Sequence, residues 1–407
     1  MTNRPDLPRA LIHASSARLL ALAVALSMGA AISLGITRFA YGLLLPTMRT
    51  DLGWSYTLAG AMNTANALGY LLGALITPRL LKRHGPATML LWGAVLASVF
   101  MGLSGFFTDA AYLLVQRLLA GLASAFVFIA GGLLAARLGA LQPSRGGLLI
   151  GLYYGGTGIG ISLSALLVPA VLDAAHGQLH GWAWAWWALA TACMAATALL
   201  VWPARAMAEP AGSPAMPGSQ ARTFLWRQFG FALAGYGMFG VGYIGYMTFV
   251  IALLREQGAG PGSITLFYAL LGVAVVASSR IWAGLLDHYQ GGQALALLSA
   301  LLGAATVVPA LTSAFWAVLL SGIVFGGVFL SVVASTTALV RHNLPQAGWA
   351  AGISAFTIVF AAGQIVGPTV VGWIADGPGG LARGLVFSAG ALWVGAMLAS
   401  GQRALSV

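Results

Sequence analysis

The chain consists of long apolar runs separated by short polar breaks. Apolar runs of about 20 residues or more are typical of helices that cross a bilayer. The pattern predicts an all-α membrane protein with one transmembrane helix for each run. The predicted spans are residues 18–46, 54–81, 87–107, 110–138, 145–173, 182–203, 222–254, 261–287, 292–312, 314–341, 347–376 and 381–402, twelve in all.

A polar, proline-rich break lies at the middle of the chain, and the two flanking halves echo one another weakly. Gly156-x-x-x-Gly160 matches Gly363-x-x-x-Gly367 at an offset of 363 − 156 = 207. Three other pairs repeat at nearly the same spacing, namely Arg117 with Gly322, Arg137 with Arg341, and Gly85 with Gly291. We therefore predict two pseudo-symmetric six-helix bundles, 1–203 and 222–407, joined by a linker at 204–221, as in transporters whose halves rock.

Composition and charge place the chain in a membrane. Of its residues 59% are hydrophobic and 7% are charged, against roughly 25% charged in soluble domains. The net charge of +11 comes from basic residues scattered between apolar runs, which marks membrane topology and not a nucleic-acid surface. With both termini in the cytoplasm, only Arg49, Arg255 and Arg383 of the basic residues between spans fall outside.

Motifs for catalysis, metals or cofactors are missing from the sequence. Cys193 is the single cysteine, and neither His-Glu-x-x-His nor Gly-x-Ser-x-Gly occurs. The glycine-rich segment of the fifth span lies in a predicted membrane helix, whereas a phosphate loop needs a strand before it and water around it. We expect no enzymatic activity, no metal and no cofactor.

Two arginines within predicted spans, Arg38 and Arg117, are the leading candidates for a binding site. A charge inside a bilayer is costly and normally faces protein or water. Both positions lie roughly 10 to 12 Å below the outer surface. If the two helices are neighbours around one cavity, their guanidinium groups could grip one carboxylate or similar anion through paired N–H donors. In the alternative interpretation, Arg38 reaches headgroups or Asp51, and Arg117 pairs with Asp109.

The acidic residues fall in loops or at span ends. An exchanger of protons for cations usually needs a buried carboxylate, and arginine does not release its proton to replace one. The predicted substrate is therefore anionic or neutral.

Further polar residues within the predicted spans are additional candidates. Asn63, Asn66 and Tyr70 lie on one face of the second span, together with Gly73. Bonds between helices would satisfy such groups without a substrate, and both interpretations stay open. The full set of candidate substrate-binding residues is Arg38, Tyr41, Asn63, Asn66, Tyr70, Arg117, Tyr236, Tyr243 and Gln364.

Small residues one turn apart let neighbouring backbones approach closely. Gly156 with Gly160 and Gly363 with Gly367 have this spacing, and Pro368 permits a bend. These five residues are candidate conformational elements, or they simply shape the helices.

The segments GITRFAYGLLLPTM, NTANALGYLLGA, LYYGGTGIG and GQIVGP resemble the YbfB/YjiJ-like bacterial branch of the major facilitator superfamily. Arg117-x-x-x-Gly121 is similar to the arginine motif of helix 4 in that superfamily. The resemblance implies alternating access, and inner-loop latches at Arg79, Lys82, Arg83, Gly85, Arg280 and Asp287. The sequence departs from the usual inner loop, because Thr77 and Pro78 stand there without an aspartate.

These observations together predict a monomeric secondary transporter of the bacterial inner membrane. We expect it to move a small organic anion such as a carboxylate, with a coupling proton or a counter-anion as a further partner. An efflux pump for neutral or hydrophobic compounds is the alternative, followed by a membrane enzyme or a sensor that moves nothing.

Overall fold

The computed structural model describes residues 14–142, 145–208, 225–345 and 348–405. Within these ranges the chain is helical apart from short connections, and they contain no strand. The α-helices are α1 Ser16–Ala30, α2 Tyr41–Leu52, α3 Tyr56–His84, α4 Pro86–Ser104, α5 Ala110–Leu141, α6 Gly146–Ala174, α7 Trp182–Ala206, α8 Gly230–Glu256, α9 Pro261–Ile281, α10 Ala283–His288, α11 Gln293–Leu311, α12 Phe315–Asn343, α13 Trp349–Ala375 and α14 Gly380–Ser400. A π-helix, Ala31–Phe39, follows α1, and a 3-10 turn, Trp226–Phe229, precedes α8.

The twelve predicted spans correspond to helices, with two corrections. The first span does not end near residue 46: helical structure continues through Pro46 to Leu52, with the π-helix in its middle. The eighth span is interrupted, because α9 ends at Ile281 and the short α10 follows Trp282. Linker residues 209–221 and the arginines Arg4, Arg9 and Arg222 lie outside the described residues.

Eleven helical stretches in the described ranges are long and apolar enough to cross a membrane. The remaining long helix, α3, has 29 residues and carries Asn63, Asn66 and a basic C-terminal turn. Its polar positions lower its hydropathy.

Local chemistry explains where several helices begin. The Asp109 carboxylate accepts hydrogen bonds from the N–H groups of Ala111 and Tyr112 and so caps α5. Pro86 occupies the first turn of α4, where its missing N–H costs nothing. The preceding Gly85 has φ +75°, a conformation that favours glycine.

The chain forms two compact units. The first comprises 1–41 and 68–216, and the second comprises 42–67 and 217–407. In the first unit, α1 packs on α6, and α4 packs on α5 and α7. In the second, α8 packs on α13, and α11 packs on α12 and α14. The order of packed helices in one unit thus repeats in the other.

Glycines mark close helix crossings in each unit. In the first, a Cβ on Gly160 would lie 2.5 Å from the Ala31 carbonyl oxygen. In the second, a Cβ on Gly367 would lie 2.6 Å from the Val241 carbonyl oxygen. The glycine pairs that repeat in the sequence therefore occupy corresponding crossings, α6 on the first helix and α13 on α8.

Candidate functional site

Arg38 lies in the last turn of the π-helix Ala31–Phe39, which we call the π segment. Its side chain is only 2% exposed. The guanidinium atoms Nε and Nη2 have no hydrogen-bond partner within the described part of the chain. Because a buried, unsatisfied charge is expensive, these two atoms give Arg38 spare donor capacity for a ligand.

Arg117 reaches the same segment from α5 and is equally buried, at 2% exposed. Its Nη1 donates a hydrogen bond of 2.7 Å to the carbonyl oxygen of Thr37. Its guanidinium carbon lies 5.0 Å from the ring centre of Tyr41 and 5.7 Å from that of Trp186. Aromatic faces at these distances attract a cation, so the surroundings of Arg117 are aromatic and backbone groups.

Several other contacts fix the π segment. Ser33 Oγ donates to the Ser124 carbonyl at 2.9 Å, and Ser124 Oγ donates to the Ser33 carbonyl at 2.7 Å. Thr37 Oγ1 donates to the Ile32 carbonyl, five residues earlier, at 2.6 Å. A Cβ on Gly35 would lie 2.6 Å from the Thr157 carbonyl oxygen. The segment is therefore bound to α5 and closely packed on α6.

Acidic groups do not share the burial of the two arginines. The described acidic residues are Asp51, Asp109, Asp173, Glu256, Asp287 and Asp376, and all of them are exposed. Asp109, considered above as a partner of Arg117, instead caps α5. The first unit thus holds two buried cationic side chains without a buried carboxylate among its described residues, and their charges repel one another.

The polar face predicted on α3 is divided between the two units. Asn63 Nδ2 donates to Thr248 Oγ1 at 2.8 Å within the second unit. Asn66 is also buried there. In the first unit, Tyr70 packs edge-on against Phe128, with ring centres 6.4 Å apart. Gly73 lies against the Leu122 carbonyl oxygen, so contacts between helices account for Asn63, Tyr70 and Gly73.

The tyrosines of α8 belong to an aromatic column. Tyr236 stacks on Phe360 at 5.0 Å, and Tyr243 stacks on Phe239 at 4.9 Å. Both tyrosines are buried. Gln364 is also buried, on α13.

The predicted latch residues lie at helix ends. Arg79, Lys82 and Arg83 are exposed in the last turns of α3. Arg280 is exposed in the last turn of α9, and Asp287 is exposed in α10.

A polar network lies at the start of α3, within the second unit, and was not predicted from the sequence. The Asp376 carboxylate accepts hydrogen bonds from the N–H groups of Tyr56 at 2.6 Å and Thr57 at 2.8 Å, and from Thr57 Oγ1 at 2.6 Å. The Tyr56 hydroxyl donates to Glu256. The guanidinium of Arg49 lies 3.7 Å from the centre of the Tyr56 ring.

Sequence reasoning also missed the π-helix, the Thr37 carbonyl and Trp186. No periodicity marks a backbone acceptor, and Trp186 is one of four tryptophans crowded at the start of α7. The signal for Asp376 was present, because a helix that opens with Ser-Tyr-Thr has free N–H donors and an acid is a suitable acceptor for them.

Comparison with solved structures gives the fold. One bacterial homologue of the human lysosomal transporter Spinster, inward-facing and unoccupied, has a TM-score of 0.71 and 15% identity, covering 95% of this chain and 97% of its own. A variant of the nucleoside transporter NupG has a TM-score of 0.68 and 13% identity, covering 94% and 98%. The occupied, inward-facing Spinster homologue has a TM-score of 0.66 and 15% identity, covering 95% and 96%.

Comparison with protein families and curated proteins gives the family of the chain. No curated protein matches the chain. Residues 30–400 match the family described as "Uncharacterised MFS-type transporter YbfB". The structural neighbours are transporters and not enzymes, and the inward-facing states of the two Spinster homologue structures fit alternating access. The chain therefore belongs to the YbfB-like family of major facilitator transporters, multi-pass membrane proteins with a twelve-helix fold.

Proposed function

We propose that this transporter moves a small organic anion, such as a carboxylate, and that Arg38 binds its negative charge. One observation carries the proposal: Arg38 is buried, with Nε and Nη2 unpartnered. Burial of a cation without a counter-charge is strongly unfavourable. An anionic substrate would supply that charge transiently, during the part of the cycle in which it is bound.

The remaining polar candidates have supporting roles in this proposal. Within the second unit, we keep Asn66 and Gln364 as candidate hydrogen-bonding residues on α3 and α13, and Tyr236 and Tyr243 as candidate aromatic contacts on α8. We place the protein in the bacterial inner membrane as a monomer with both termini cytoplasmic. Its halves, 1–203 and 222–407, exchange access around the 204–221 linker, while the exposed latch residues and the glycine crossings govern the exchange. A proton or counter-anion completes the coupling.

The test is flux in proteoliposomes loaded with a panel of labelled carboxylates and with their uncharged amides. We expect wild-type protein to move a carboxylate and not its amide, and Arg38→Ala to reduce that flux at least tenfold. Loss of a hydrogen-bonded charge pair of about 1.5 to 3 kcal/mol has an effect of this size.

The matched control is Arg205→Ala, which removes an exposed arginine in the last turn of α7 of the same unit. It should transport like wild type. Full carboxylate flux by Arg38→Ala would remove the central assignment. Preferential flux of the amides would favour the efflux of neutral compounds instead.

A further inference from the structure

We propose that Arg117 is a positioning residue: it holds the π segment so that the Nε–Nη2 edge of Arg38 receives a carboxylate side-on, without binding the anion itself. This inference rests on the proposed function, because it divides the labour between the two arginines of the same site.

The free atoms of Arg38 define the geometry of the ligand. In a planar guanidinium the N–H bond of Nε and one N–H bond of Nη2 point in the same direction along one edge. Both of these atoms of Arg38 are fully buried and lack a hydrogen-bond partner among the described residues. Their spacing matches the two oxygens of one carboxylate. A spherical anion such as chloride would not satisfy both donors equally well, so the edge favours a planar group with two oxygens.

The position of Arg117 explains how that edge is oriented. Its Nη1 donates to the carbonyl oxygen of Thr37, which belongs to the peptide bond directly preceding Arg38. A charged donor on this carbonyl fixes the plane of the peptide and therefore the direction in which the Arg38 side chain leaves the backbone. A π-helix needs such support, because its hydrogen bonds span five residues and it occurs rarely, often at functional sites.

The two arginines should therefore differ in whether a lysine can replace them. The Thr37 carbonyl needs a single N–H donor from residue 117, and an ammonium group provides one while also interacting with the rings of Tyr41 and Trp186. The edge of Arg38 needs two parallel donors in one plane, which an ammonium group does not provide. Arg117→Lys should consequently be tolerated where Arg38→Lys is not. If both residues gripped the anion, both substitutions would be harmful.

The experiment measures binding of acetate, benzoate and succinate to the full-length protein in nanodiscs by calorimetry, each against its amide. We expect Arg38→Lys to weaken binding of the carboxylate about tenfold or more. Arg117→Lys should stay within about threefold of wild type, and Arg117→Gln should weaken binding about tenfold. Equal losses in Arg117→Lys and Arg38→Lys would overturn the inference.

Hydrogen exchange without any ligand separates this inference from the proposed function. Amides of residues 31–39 should exchange faster in Arg117→Gln than in wild type, Arg117→Lys or Arg38→Lys, whereas amides of α11 should not change. Unchanged exchange in Arg117→Gln would overturn the positioning role even if carboxylates bind. If wild type binds none of the three carboxylates, the proposed function fails, and the exchange result still decides the positioning role. Should Arg117→Gln not fold, Arg117→Lys gives the decisive comparison.

Discussion

Arg38 and Arg117 have the same side chain and the same burial but different surroundings. Arg117 has a backbone carbonyl and two aromatic rings around it, whereas Arg38 retains two unpartnered nitrogens. Burying a guanidinium is costly unless its donors are used. Under the proposed function, a bound anion offsets the cost of burying the two unpartnered nitrogens of Arg38.

The serines that connect the π segment to α5 give a residue-scale prediction. Ser33 and Ser124 each donate to the other's carbonyl, and their hydroxyl oxygens lie 2.8 Å apart. Ser33→Ala and Ser124→Ala should each lower the free energy of unfolding by about 0.6 to 1 kcal/mol. The double variant should lose less than the sum, because the hydroxyls form one coupled network. Denaturant unfolding in bilayer discs measures all three.

Ser164→Ala is the control for this cycle. The Ser164 hydroxyl is buried in the same unit and bonds the Gly160 carbonyl of its own helix, so its loss should change stability by less than about 0.5 kcal/mol. Strict additivity of Ser33→Ala and Ser124→Ala would contradict the coupled network.

Among single residues, the sequence predicted the unusual ones better than their partners. Arg38 and Arg117 stand out because lipid excludes charge. Their neighbours do not stand out, since Thr37 acts through its backbone and Trp186 is one aromatic residue among many in an apolar run. A sequence marks the side chain that is out of place, whereas the group that compensates for it depends on which helices meet.

At the scale of elements, helix positions follow from hydropathy and helix interruptions do not. An apolar run in lipid must satisfy its backbone hydrogen bonds internally, so length and polarity suffice to locate a helix. The π-helix at Ala31–Phe39 has the same composition as its surroundings. It depends on a carbonyl bonded from α5 and on close packing against α6, which are contacts between distant parts of the chain.

The glycine crossing between α6 and α1 gives an element-scale prediction. A Cβ on Gly156 would collide with the Ser27 carbonyl oxygen, and backbone atoms cannot move aside as a flexible side chain would. Gly156→Ala should therefore lower the free energy of unfolding by about 1 to 3 kcal/mol. The melting midpoint of the purified protein in nanodiscs reports the change.

Gly147→Ala, in the first turn of the same helix, is the matched control. No atom lies within 4 Å of its added Cβ, and alanine favours a helix over glycine by up to about 1 kcal/mol. This variant should melt at or above the wild-type midpoint. If Gly156→Ala melted there too, the crossing would be looser than the Gly156–Ser27 contact implies.

At the scale of the whole molecule, residues 42–67 join the unit formed by the second half of the chain. Asp376 contributes to this attachment by accepting the N–H groups that begin α3. Burial alone would raise the pKa of Asp376, but the hydrogen bonds from Thr57 and Tyr56, together with the charge of Arg49, outweigh it and hold the pKa below its ordinary value of 3.8.

This lowered pKa gives a prediction for pH dependence. A carboxyl whose folded pKa is depressed stabilises the fold above its ordinary pKa, and the stabilisation disappears as the pH falls through the folded value. Asp376→Asn should therefore melt below wild type at pH 7, by an amount that stays constant down to about pH 5 and then shrinks below about pH 4. Melting curves of both proteins from pH 3 to pH 7 provide the measurement.

Asp173→Asn serves as the control for that series, because it removes another exposed aspartate near the end of a helix. A difference between Asp376→Asn and wild type that grew on acidification would contradict the assigned direction of the shift.

The sequence by itself determined the solvent of this protein, the positions of its long membrane helices, and the two arginines that need an explanation. All three follow from the cost of transferring residues and backbone groups into lipid, a cost that each segment incurs alone. Only the tertiary structure decided that Arg117 bonds the Thr37 carbonyl while Arg38 keeps two free donors, and that Asp376 holds the start of α3. These outcomes depend on which distant segments come within hydrogen-bonding distance, and helix packing sets that distance.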